Sequence, residues 1–110
     1  MSKKTERVNK IFKAIADPTR RELFHVLIVA SAAMSLTQIS EEFAISRQGV
    51  TKHIKVLEDA GMIKITTQGR ERFCEANPTP LGEIRNWLAV YDKFWDDKLG
   101  DLDGFLGGKK

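Results

Sequence analysis

Gln48, Thr51, Lys52 and Lys55 recur at i, i+3, i+4 and i+7, the spacing that places side chains on one face of a helix. The stripe holds an amide, a hydroxyl and two ammonium groups, with no acid before Glu58. An ordinary solvated helix face mixes Glu with Lys, whereas these groups suit base edges and phosphates. Val50, Ile54 and Leu57 fall at i, i+4 and i+7 on roughly the opposite side and must be buried. Ser46 is the expected cap, and there the backbone amides and Arg47 can hold a phosphate. Gln48 and Thr51 are the expected base readers, because Gln matches the adenine N6/N7 edge and a Thr methyl packs on a thymine methyl. Lys52 and Lys55 reach phosphate or guanine.

Such a helix needs a frame. Ser35-Leu36-Thr37-Gln38 has the capping-box pattern and opens a short helix burying Leu36, Ile39 and Phe43. Only Ala44 and Ile45 separate it from Ser46, so the two helices and their tight turn read as a helix-turn-helix, although the turn lacks the usual glycine. Gly61 sits where a left-handed residue ends a helix. Met62–Thr67 then alternates as a strand, Gln68-Gly69 signals a turn, and Arg70–Ala76 returns. This two-stranded hairpin reads as a wing. Arg70 at its tip suits the minor groove, with Gln68 as a companion. Arg72 is a further candidate whose strand alternation could turn it inward, and Glu71 is expected to be a structural charge partner.

Upstream, a first helix spans about Lys4–Ala16 with Val8, Ile11, Phe12 and Ile15 on one stripe. Asp17-Pro18 ends it and caps the next, because proline at the first helical turn gives up no needed N–H. That second helix, Pro18 to about Ala30, is apolar enough to be the core helix. His25 within it is expected to be a hydrogen-bonded core residue, and His53 to pack at the edge of the basic helix. Ser31–Met34 reads as a loose connector. After Asn77-Pro78-Thr79-Pro80 breaks the chain, a last helix is expected from about Pro80 or Leu81 to Leu99, with Leu81, Ile84, Trp87, Leu88, Tyr91, Phe94 and Trp95 on one wide face. Four glycines in the last eleven residues predict a flexible tail over 100–110.

The fold class expected is mainly α with a small β-hairpin: five helices and a two-stranded wing in a single domain over 1–110. With 42% hydrophobic residues the chain can form a core of modest size. Net charge is +4 over residues 1–25, +3 over 47–72 and −3 over 81–106, so a phosphate-binding surface belongs to the middle of the chain. The longest apolar run, Leu23–Ala30, is too short to span a bilayer. Met1–Thr5 leads into polar sequence rather than a signal-peptide core, and a cytoplasmic location is the expectation. Cys74 is the single cysteine, which rules out an intrachain disulfide; alone on a strand it reads as a half-buried core residue rather than a redox switch. No Ser/His/Asp or Cys/His pairing and no phosphate loop suggests an enzyme.

Three segments carry a family likeness: residues 14–23 (AIADPTRREL), 45–63 (ISRQGVTKHIKVLEDAGMI) and 69–72 (GRER). In this combination the chain resembles the ArsR/SmtB-type winged helix-turn-helix repressors over roughly residues 5–98. The resemblance implies a homodimeric, often autoregulating repressor that pairs through its first and last helices. It assigns Val8, Ile11 and Phe12 on the first helix, and Ile84, Trp87, Leu88, Tyr91, Phe94 and Trp95 on the last, to the dimer interface. The aromatic face of the last helix independently asks for a partner surface, and pairing with its own copy is the simplest. The tryptophan-rich last helix resembles the branch without metal sites, often encoded beside a START-like hydrophobic-ligand-binding protein. Where thiolate-sensing relatives carry a Cys-x-Cys-like pair, this chain has Leu36-Thr37-Gln38-Ile39, and its last helix offers Asp92, Asp96 and Asp97 but no His.

The partners expected are double-stranded DNA and a second copy, with no membrane, no cofactor and no metal. The operator and any small-molecule or protein effector are left open. The competing readings are a winged helix used for protein contact and a metal- or redox-responsive repressor.

Overall fold

A computed structural model describes residues 2–95. The elements are α1 (Lys3–Ile15), α2 (Pro18–Ala30), β1 (Met34–Ser35), α3 (Leu36–Phe43), α4 (Arg47–Asp59), β2 (Ile63–Gln68), β3 (Glu71–Ala76) and α5 (Leu81–Ala89). The caps expected from sequence are made. The Asp17 carboxylate accepts from Arg20 N–H at 3.0 Å, and Ser35 and Gln38 bond reciprocally as a capping box. Gly61 follows α4 at φ +76°, the left-handed conformation that only glycine adopts at no steric cost.

All three strands pair antiparallel in the order β1-β3-β2. The wing is therefore a three-stranded sheet at its root. The expected connector Ser31–Met34 ends in a strand, with Met34 opposite Cys74 and Ser35 opposite Phe73. Ser35 thus serves two elements at once: its backbone pairs with β3 while its side chain caps α3, and it is buried. At the far end Gln68 pairs with Glu71, so the turn is Gly69-Arg70 and Arg70 belongs to the turn rather than the strand. Gly69 at φ +63° in the first central position suits a two-residue hairpin turn.

The core gathers Ile11 and Ala14 of α1, Leu23 and Leu27 of α2, Ile39 of α3, and Val50, Ile54 and Leu57 of α4 around Met62, Ile63 and Cys74. Each fully buried Leu or Ile contributes about 1.5–3 kcal/mol relative to exposure. Two expectations about the outer helices change. Val8 and Ile11 are only 6 and 2% exposed within one chain, so they close its own core and leave a partner little to cover. The last helix ends at Ala89, because Tyr91 N–H bonds to Leu88 O three residues back and the i−4 ladder lapses there. Helical geometry returns at Asp92–Trp95. Asp96, Asp97, Leu99 and the expected tail over 100–110 lie outside the described residues.

Candidate nucleic-acid interface

The α3–α4 turn is tight without a glycine. Ala44 takes the left-handed conformation (φ 53°, ψ 40°), which costs an L-residue about 1–2 kcal/mol. The Ala44 and Ile45 N–H groups both donate to Ser40 O, and the Ser40 hydroxyl donates to Ile45 O, so the turn is closed by three bonds to one residue. Ile45 then lies against the first turn of α4. A Cβ at Gly49 would meet Ile45 Cγ2 at 2.7 Å. Gly49 therefore sets how closely the turn approaches the helix. The sequence carried a signal for it: glycine inside a helix costs about 0.5–1 kcal/mol against alanine, so one in a first turn points to close approach.

On α4 the two stripes separate as expected. Val50, Ile54 and Leu57 are buried, while Arg47, Gln48, Lys52 and Lys55 are exposed. Arg47, Gln48, Thr51 and Lys52 line one shallow hollow. Two hydroxyls are already committed. Ser46 Oγ accepts from Gly49 N–H at 3.1 Å, and Thr51 Oγ1 donates to Arg47 O at 2.8 Å. What Thr51 offers outward is then mostly its methyl group. The amides of Arg47 and Gln48, in the first turn, have no intrahelical acceptor and form the positive end of the helix dipole.

Gln68, Arg70 and Arg72 are all exposed on the wing. Arg72 shares the strand face of Cys74, yet the core has ended by its position, so it meets solvent and not the interior. Among the described residues Glu71 forms no ion pair; the pair within 4 Å there is Arg7–Glu83, at 3.5 Å. The candidate residues on the helix stripe and wing thus present five exposed cationic side chains and two amides, and Lys64 on β2 is a further exposed cation.

The remaining candidates settle elsewhere. Cys74 is fully rather than half buried, and burial pushes its thiol up to about 11, against the pull of Arg72. At neutral pH it is a protonated core group and not a reactive thiolate. His25 is exposed on α2 rather than bonded in the core, because it falls off the Leu23/Phe24/Leu27 stripe. His53 is half-buried, its Nδ1 3.4 Å from Arg20 Nη1. Asp92 is exposed, and among the described residues no three His, Cys, Asp or Glu side chains gather as ion ligands. Likewise, no helix among them is long and apolar enough to cross a membrane.

On the aromatic face of α5 and the residues after it, Trp87 meets Phe12 of α1 at 5.3 Å and Tyr91 at 5.2 Å, and Phe94 meets Trp95 at 6.2 Å, all edge to face. Trp87, Leu88, Tyr91, Phe94 and Trp95 nevertheless remain 41–51% exposed.

A family model described as a helix-turn-helix domain matches residues 15–66. The transcriptional repressor SdpR of Bacillus subtilis (strain 168) is 32% identical over 92 residues, covering 84% of this chain and 100% of that protein. The HTH-type transcriptional regulator Rv2034 of Mycobacterium tuberculosis is 30% identical over 91 residues, covering 83% and 80%. A crystal structure of an ArsR family transcriptional regulator superposes with a TM-score of 0.76 at 33% identity, covering 89% of this chain and 99% of that one. An ArsR-like transcriptional regulator from Rhodococcus sp. RHA1 gives 0.71 at 25% identity, covering 92% and 93%. The chain belongs to the ArsR/SmtB-type winged helix-turn-helix transcriptional regulators, DNA-binding proteins rather than enzymes.

Proposed function

We propose that this regulator is a homodimeric repressor acting on DNA in the cytoplasm. The observation that carries the reading is the stripe of exposed Arg47, Gln48, Lys52 and Lys55 with half-buried Thr51 among them, opposite a fully buried one on the same helix. Two copies of α4 enter successive major grooves of an imperfect palindrome with half-sites about 10 bp apart. Gln48 and Thr51 read bases, Ser46 and Arg47 hold a phosphate at the helix start, and Lys52 and Lys55 grip the backbone. Arg70 enters the minor groove, with Gln68 and Arg72 beside it. The aromatic face of α5 and the residues just after it support the pairing, because five exposed large apolar side chains form a surface that a monomer in water does not keep. Phe12 and Ile84 complete that face. Occupying a promoter in this way blocks transcription, and an effector, small molecule or protein, would act by changing the geometry of the pair.

The test is titration of labelled duplex at two salt concentrations with heparin as competitor. Retained binding to one sequence from a randomised library, weakened steeply by salt, is the expected result. Absence of binding to any duplex at low salt would overturn it and favour a protein-contact role for the fold.

A further inference from the structure

We infer that Arg20 and His53 form a brace that fixes the seating of the recognition helix against the first helix, and so act as positioning residues for base selection. The inference rests on α4 being the DNA-reading element. Arg20 lies in the first turn of α2, where its own N–H bonds to Asp17 and anchors its backbone. Its guanidinium folds back over the end of α1. Nε donates to Ala14 O at 2.8 Å, a carbonyl at the helix C-terminus, and Nη2 to Lys13 O at 2.9 Å, which also accepts the Ala16 N–H. The remaining arm, Nη1, lies 3.4 Å from Nδ1 of His53 on α4.

One planar cation therefore joins the end of α1, the start of α2 and the flank of α4. Only arginine has donors pointing in three directions from one rigid group; a lysine ammonium could not keep all three. A guanidinium has no acceptor, so Nδ1 must accept and the ring proton must sit on Nε2. His53 is adjacent in sequence to Lys52, and a small rotation of α4 that breaks this contact also displaces the reading stripe. On the other side α1 carries Phe12, in contact with Trp87 of α5. The brace thus lies on a continuous path from the aromatic face to the reading helix.

Two measurements test it on the full chain. The first is a long-range proton–nitrogen spectrum of the histidines above pH 8, in the wild type and in Arg20→Lys. The expected result is an unprotonated His53 Nδ1 whose resonance moves in the variant, while that of exposed His25 stays. A proton on His53 Nδ1, or a shift no larger than that of His25, overturns the brace. The second compares affinity for the duplex the wild type selects from a random library with affinity for unrelated duplex. Losing one charge-assisted bond predicts about a tenfold fall in that ratio for both His53→Leu and Arg20→Lys. The double variant should fall no further, and His53→Asn, which keeps an acceptor near the Nδ1 position, should recover most of it. An unchanged ratio in His53→Leu, with the wild type still selective, overturns the positioning role. A wild type that prefers no duplex refutes the DNA reading instead, and the spectrum alone then decides whether the brace exists.

Discussion

The fourth and fifth helices use their surfaces in opposite ways. On α4 every large apolar side chain is covered by the same chain, wholly or in part, and what faces solvent is polar or charged, cationic until Glu58 and Asp59 at its end. On α5 no residue is fully buried, and Trp87 and Leu88 face solvent beside Arg85 and Asn86. One helix is complete within a single copy and waits for a polyanion. The other is incomplete and waits for an apolar surface. On the proposed reading, affinity for DNA and affinity for self reside on different elements and should respond to different mutations.

The sharpest way to break that separation is on α5. Leu88→Glu sets a charge into an exposed apolar face and should weaken self-association by about 2–4 kcal/mol, read by sedimentation, while leaving the fold of the single copy intact. An unchanged dimer would place the partner surface elsewhere. Next comes Gln48→Ala on α4, expected to cost roughly 1–3 kcal/mol on operator DNA and to relax preference at one base pair, with self-association untouched. Gly49→Ala probes the turn beneath the stripe. With Ile45 at 2.7 Å from the new methyl, it should destabilise the chain by about 1–3 kcal/mol in urea unfolding. Gly82→Ala, with nothing within 4 Å, is the control and should be neutral or gain up to about 1 kcal/mol. The smallest effect is Lys55→Ala, which should weaken all duplexes alike and flatten the log–log salt slope by about one unit.

Much of the scaffold could be read from local chemistry. The bounds of α2 followed from Asp17-Pro18 and the onset of its apolar run, and the starts of α3 and α4 followed from Ser35 and Ser46. Each of these signals acts within four residues of itself. The features that escaped reading depend on distant neighbours. Met34-Ser35 is a strand only because β3 arrives beside it some forty residues later, and two residues carry no period of their own. Val8 and Ile11 lie on the same apolar stripe as Phe12; periodicity says that a stripe is buried but not whether its own chain or a second copy covers it. Ala44 has no glycine to announce a left-handed turn, and three bonds to Ser40 override its preference. Arg20 and His53 are separated by 33 positions, so no spacing rule links them.

Ser35 belongs to the sheet through its backbone and to α3 through its hydroxyl, so the stem of the hairpin and the scaffold under the reading helix are fastened at one residue. A single subunit consequently has no easy way to tilt its wing while leaving α4 in place. On the proposed reading each half of the pair behaves as one solid tool, and release from a promoter would come from respacing the two tools rather than from bending either.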